Sequence, residues 1–142
     1  MRISDDQLKA FIVDGGLLGD DMLRRAETEA KKAKEPLHDA ILRLKLMGES
    51  DLRKLEAYIF GIPFIDLSKE TIAPEVLRLV PEPIAKKSNV IAFKQSGRDL
   101  QVAMLDPDDI QTIEFIKKTT NLRVLPRLTN VESIKAGLRQ YQ

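Results

Sequence analysis

The chain has no cysteine, no tryptophan and one histidine, and aromatic residues make up only 5% of its 142 residues. Without cysteine it can form no disulfide, no thiolate zinc site and no cysteine nucleophile, a composition that fits a reducing compartment. The lone His38 excludes a histidine-rich metal site within the chain. Scarce aromatics leave no stacking platform for nucleobases. An excess of one charge is missing too: 23 basic residues face 22 acidic ones, a formal net charge of +1. Residues 1–61 hold 11 basic and 12 acidic residues and residues 62–142 hold 12 and 10, so neither half has the basic surplus of a nucleic-acid binder. No apolar run approaches the ~18 residues that cross a bilayer, so direct membrane insertion is not expected. The opening Met1-Arg2-Ile3-Ser4-Asp5-Asp6 is not followed by the apolar core of a signal peptide. A cytoplasmic protein is expected.

What is present is a folded composition, 43% hydrophobic and 32% charged. The length suits one ordinary domain or two small ones. The most specific feature is an internal repeat. Residues 8–27 align with residues 37–56 at an offset of 29, matching Leu8/Leu37, Ile12/Ile41, Val13/Leu42, Leu17/Leu46, Leu18/Met47, Gly19/Gly48, Asp20/Glu49, Leu23/Leu52, Arg24/Arg53 and Glu27/Glu56. A repeat of this length is one helix–turn–helix unit, which must pack against another to bury its apolar face.

Ser4-Asp5-Asp6-Gln7 reads as a capping box ahead of a helix bearing Leu8, Phe11 and Ile12, which ends at Gly15-Gly16. Gly19-Asp20-Asp21 opens a second helix with Leu23, Ala26 and Ala30 inward. Pro36 opens a third, presenting Leu37, Ala40, Ile41 and Leu44, and Gly48-Glu49 opens a fourth with Leu52, Leu55 and Ile59 inward. Gly61 and Pro63 stop it. Beyond that point the period changes. Residues 64–67 are a short strand candidate, Pro74 starts a helix to about Val80, and Pro83 to Lys87 gives another turn of helix. Residues 89–94 and 100–105 read as a hairpin. A helix with Ile110, Ile113 and Ile116 follows Asp106-Pro107-Asp108, residues 122–128 form a third strand, and Thr129-Asn130-Val131-Glu132 caps a last helix bearing Ile134, Leu138 and Tyr141. The expected fold is α+β. A four-helix repeat over residues 1–61 packs on a small α/β part over residues 62–142, with flanking helices and a sheet of three strands, or four if residues 64–67 join.

Three stretches of the second half carry a resemblance. Leu79-Val80-Pro81-Glu82-Pro83-Ile84-Ala85-Lys86-Lys87, Val102-Ala103-Met104-Leu105-Asp106-Pro107 and Gly61-Ile62-Pro63-Phe64-Ile65-Asp66-Leu67, in their order after a helical repeat, resemble the N-terminal domain of the GspE/PilB-type ATPases of type II secretion and type IV pilus assembly. The helical repeat plus α/β part is MshEN-like. The resemblance implies a non-catalytic docking and regulatory domain that binds the cytoplasmic parts of an inner-membrane secretion or pilus platform. Its own motor domain would be hexameric, and the protein peripheral to the membrane through its partners. ATP and magnesium would belong to the motor alone. The glycines stand at 15, 16, 19, 48, 61, 97 and 137, and none forms the G-x-x-x-x-G-K-[ST] loop that cradles phosphates.

One branch of the family binds cyclic di-GMP through two copies of a motif close to R-L-G-x-x-L-x-x-x-G. Arginine can stack on guanine and fork onto phosphate, and glycine admits close backbone approach. Here the first copy has Gln7 for the arginine and Lys9 for the first glycine, keeping only Gly16. The second has Pro36, His38 and Lys45 at the three positions. If a dinucleotide binds, the resemblance places it at Leu8, Lys9, Ile12, Leu37, His38 and Ile41. The lost polar positions favour a structural repeat over that alternative. His38 reads as a partly exposed surface histidine. Asp106, Asp108 and Asp109 read as turn and cap chemistry rather than a cation site. The basic pairs Arg24-Arg25, Lys86-Lys87 and Lys117-Lys118, with Lys31, Lys32 and Lys34, read as solvated faces. No catalytic constellation is legible.

Overall fold

The computed structural model describes residues 3–142; Met1 and Arg2, the first two residues of the opening read above for a signal peptide, lie outside them. The described residues fall into two compact units, one ending at Gly61 and the other spanning 62–142.

The first unit is four helices. Helix α1 (Asp5–Gly15) starts at a complete capping box: Gln7 N–H donates to Ser4 Oγ at 3.1 Å and Ser4 N–H to Gln7 Oε1 at 3.3 Å. Helix α2 (Asp20–Ala33) carries Asp20 and Asp21 in its first turn and Lys31 and Lys32 in its last, matched to the helix dipole at both ends. Helix α3 (Leu37–Arg43) is short, and its first N–H finds a long-range cap, Leu37 N to Asp5 Oδ1 at 3.1 Å. Helix α4 (Glu49–Phe60) ends at Gly61, held at φ 76. The core is Leu8, Ile12, Leu23, Ala26, Leu37, Ile41 and Leu52. Six of these are three repeat-related pairs, so the two copies contribute equivalent side chains to one interior. Leu55 and Ile59 pack against it only partly buried.

The second unit is a three-stranded sheet with helices. Helices α5 (Pro74–Leu77) and α6 (Glu82–Ser88) precede strand β1 (Val90–Ser96). Strand β2 (Asp99–Met104) pairs antiparallel to β1, with a bulge at Phe93 between Ala92 and Lys94. Helix α7 (Ile110–Thr120) crosses to strand β3 (Arg123–Leu128), which pairs parallel to β2. Helix α8 (Val131–Arg139) follows. Leu67, Leu77, Ile91, Leu100, Val102, Met104 and Ile116 are among the buried side chains of this core.

The expectations for this unit need four corrections. Residues 64–67 do not form a strand, only one bridge, Phe64 to Leu128. Their backbone groups are taken by side chains instead: Thr129 Oγ1 donates to Ile65 O at 2.6 Å and Leu67 N–H to Ser133 Oγ at 2.8 Å. The last helix is capped by Asn130, whose Oδ1 accepts from Ser133 N at 2.9 Å, because the Thr129 hydroxyl is engaged elsewhere. Helix α5 ends at Leu77, short of Val80. The carbonyls of Leu77 and Val80 both face the Tyr141 hydroxyl, at 3.2 and 2.6 Å. Burial of that phenol, reinforced by Glu82, pushes its pKa up to about 12. Ile110, the first residue of α7, is 62% exposed, and the helix buries Thr112 and Ile116.

Helix α8 packs closely against β1 at Gly137. A β-carbon on Gly137 would lie 2.7–2.8 Å from Cγ1, Cγ2 and Cδ1 of Ile91. Two of these atoms sit on a β-branched carbon with little rotamer freedom. Gly137→Ala is therefore expected to destabilise the chain by about 1–3 kcal/mol, as overpacking does. Urea denaturation measures it, and Ile91→Ala in the same chain should recover part of the loss of Gly137→Ala.

Candidate functional site

The repeat is the candidate site, and its two copies match in backbone as well as sequence. Helix α1 stops at Gly16, at φ 60, with Gly16 N–H donating to Val13 O and Leu17 N–H to Ile12 O, both at 3.1 Å. The same corner recurs at Lys45, at φ 56, with Lys45 N–H donating to Leu42 O at 3.1 Å and Leu46 N–H to Ile41 O at 3.0 Å. A side chain in that left-handed conformation costs about 1 kcal/mol. The second copy keeps the turn after losing the glycine that eases it. Gly19 and Gly48 begin α2 and α4 in the same extended conformation.

The two positions where the resemblance expects the first glycine of each copy carry Lys9 and His38, and each reaches the carboxylate at the equivalent place in its own copy. Lys9 Nζ lies 3.2 Å from Glu27 Oε2. His38 Nδ1 lies 2.7 Å from Glu56 Oε2. Both partners are related by the repeat offset, so this is one interaction made twice. The two versions differ in environment. Lys9 and Glu27 are 46% and 32% exposed, His38 and Glu56 only 22% and 8%. Arg53, 14% exposed, adds a second contact to Glu56 at 3.4 Å. Its counterpart Arg24 turns to Asp21 instead, at 3.8 Å.

Of the six residues placed at a dinucleotide site by the resemblance, Leu8, Ile12, Leu37 and Ile41 are at most 2% exposed and form the core. Lys9 and His38 are engaged by Glu27 and Glu56. The sequence pairs Glu27 with Glu56 across the repeat, but it does not reveal what either one holds, since both contacts span two helices. His38 is indeed partly exposed, and it leans on Glu56 rather than on its neighbour Asp39. A groove of about 380 Å³ opens beside the repeat, lined by Asp5, Asp6, Glu27, Glu35, Lys31 and Lys34 among others. Four carboxylates against two ammonium groups do not favour a phosphodiester there. Leu37 is the one predicted site residue that lines it.

The acidic turn behaves as cap chemistry. Asp109 Oδ1 accepts from Thr112 N at 3.2 Å, and Asp106 Oδ1 accepts from Asp108 N at 3.1 Å. Among the described residues no three His, Cys, Asp or Glu side chains gather where they could hold a metal ion. Among the described residues no helix is long and apolar enough to cross a membrane.

A family model described as the MshEN domain matches residues 60–142. The chain belongs to the MshEN domain family. This MshEN chain is 27% identical over 135 residues to the type IV pilus assembly ATPase PilB of Myxococcus xanthus, an alignment that takes in 95% of the chain but 24% of PilB. It thus spans about a quarter of that relative's length. Among solved structures it resembles that of MshE with cdg, at a TM-score of 0.78 and 24% identity, covering 95% of this chain and 98% of that one. It also resembles the N-terminal domain of XpsE, at a TM-score of 0.66 and 19% identity, covering 99% and 98%. At these identities the two structures establish the shared α+β fold. The likeness to PilB takes in the helical repeat, most of which lies outside the span matched by the family model.

The two versions of the ion pair should differ in worth. Glu27→Ala is expected to cost under about 1 kcal/mol, as for exposed pairs. Glu56→Ala leaves His38 and Arg53 facing a mostly buried gap and is expected to cost about 2–4 kcal/mol. Chemical denaturation of the two variants checks the order, and equal losses would contradict it.

Proposed function

We propose that the chain is a docking and regulatory domain, without catalysis of its own, of a motor ATPase that drives pilus assembly or type II secretion. In this reading it binds the cytoplasmic face of an inner-membrane assembly platform and couples it to a hexameric motor that holds ATP and magnesium. The observation that carries the reading is the PilB alignment: nearly the whole chain corresponds to about a quarter of an assembly ATPase, while its own sequence contains no phosphate-cradling loop. Recognition of the platform would rest on a few buried anchors within a polar rim.

A second reading, a cyclic di-GMP sensor, is favoured by the fold shared with MshE, solved with cdg. Against it stand the residues themselves. Lys9 and His38 fill the positions where glycine would admit the ligand, and each is tied to a carboxylate. Gln7 and Pro36 cannot supply a guanidinium fork.

The docking reading is tested by measuring binding of the chain to the soluble cytoplasmic domains of inner-membrane platform proteins from its own organism. One of them should bind saturably in the micromolar range. Failure of every such domain to bind would overturn it.

A further inference from the structure

Strand register places Lys94, Gln101 and Leu125 in one row across the sheet, because Lys94 pairs with Gln101 and Gln101 with Leu125. Arg127 lies two residues beyond Leu125 and so projects from the same face. The next row on this face runs from Ile91 through Ala103 to Arg127. Helix α8 covers its Ile91 end through Gly137 and leaves Arg127, at the far end on β3, half-buried. Lys94 is exposed, and Gln101, Leu125 and Arg127 are half-buried. On the opposite face Leu100, Val102, Met104, Val124 and Leu128 are all buried, with Pro126 half-buried among them and Gln95 exposed at the β1 end.

Arg127 is held by neutral partners while half-buried. Arg43, Arg53 and Arg123 each meet a carboxylate, of Glu35, Glu56 and Asp99 respectively. Arg127 instead donates from Nε to Gln101 Oε1 at 3.1 Å and from Nη1 to the Pro126 carbonyl at 3.2 Å. Both acceptors are neutral, and among the described residues it meets no carboxylate. Its planar fork is thus oriented and partly desolvated, its charge is not balanced, and Nη2 remains available. A guanidinium in that state matches a carboxylate better than it matches water, because its orientation is already set. Leu125 beside it offers an apolar contact, and Lys94 across the row a second positive charge.

We propose that this open half of the sheet, Lys94, Gln101, Leu125 and Arg127, is a docking surface for an acidic segment of a partner protein, with a carboxylate on Arg127 and an apolar side chain on Leu125. This rests on the docking reading above and gives it a surface and a partner chemistry. Oriented arginines next to apolar side chains are typical energetic centres of interfaces.

The test uses the whole chain, isotopically labelled, titrated in low salt with the peptide Glu-Leu-Glu-Leu-Glu and with its glutamine and lysine counterparts. Amide shifts should cluster at residues 94, 101, 125 and 127 with the acidic peptide alone and fade as salt rises. Arg127→Gln should weaken binding at least about tenfold, with the thermal midpoint checked alongside. Lys94→Gln, at an exposed position, should weaken it without touching the fold. Arg127→Lys keeps the charge, loses the fork, and should lose most of the affinity. Shifts scattered over the lysines of α2, α6 and α7, or no shifts, would overturn the proposal. Sedimentation with phosphatidylserine vesicles in place of peptide binding would overturn it in favour of a membrane. A platform domain that binds the chain and its Arg127→Gln and Lys94→Gln variants equally defeats this surface and leaves the docking reading standing.

Discussion

Leu8, Ile12 and Leu23 from one helix pair meet Leu37, Ile41 and Leu52 from the next, and the first unit exists because of that meeting. Neither pair could bury its apolar stripe alone. Each supplies the cover the other needs, so the backbone geometry of both copies is held to one pattern. That constraint explains why Lys45 adopts a left-handed corner despite its side chain. Straightening the turn would pull Leu46 N–H off Ile41 O and shift Ile41 out of the interior. The frame is preserved at the cost of a strained residue.

The same frame fixes where polar residues can act. Position 9 faces position 27 and position 38 faces position 56, so a nitrogen-bearing side chain at the first and a carboxylate at the second will find each other in either copy. The more buried version, His38 on Glu56 with Arg53 behind it, ties α3 to α4 through a carboxylate that is nearly withdrawn from water. A ligand entering there would have to displace these contacts and leave Glu56 with fewer partners. Homology carries the family and the fold across to this chain. The side chains at 7, 9, 36, 38 and 45 determine whether the repeat reads a ligand or serves as architecture.

Much of this was legible in the sequence because it was local or periodic. The repeat, the Ser4 capping box, the hairpin and the helix between the second and third strands all depend on residues close in the chain. The failures share a different cause. Residues 64–67 look like a strand, but Thr129 and Ser133, more than sixty positions away, take their backbone groups. Helix α5 stops early where Tyr141 claims its carbonyls. In the candidate site, the core character of Leu8, Ile12, Leu37 and Ile41 follows from spacing. The partners of Lys9 and His38 do not, since spacing within one helix says nothing about which carboxylate a second helix brings alongside. Arg127 belongs to the same class: its neutral partners emerge only once strand register is known.

Leu8, Ile12, Leu37 and Ile41 fill the interior of the repeat, and Lys9 and His38 are held by its own carboxylates. Isothermal titration of the intact chain with cyclic di-GMP, carried to several hundred micromolar, tests this most directly. No saturable heat is expected. Binding in the low micromolar range, lost when Lys9 and His38 are replaced, would contradict this and make the repeat a sensor.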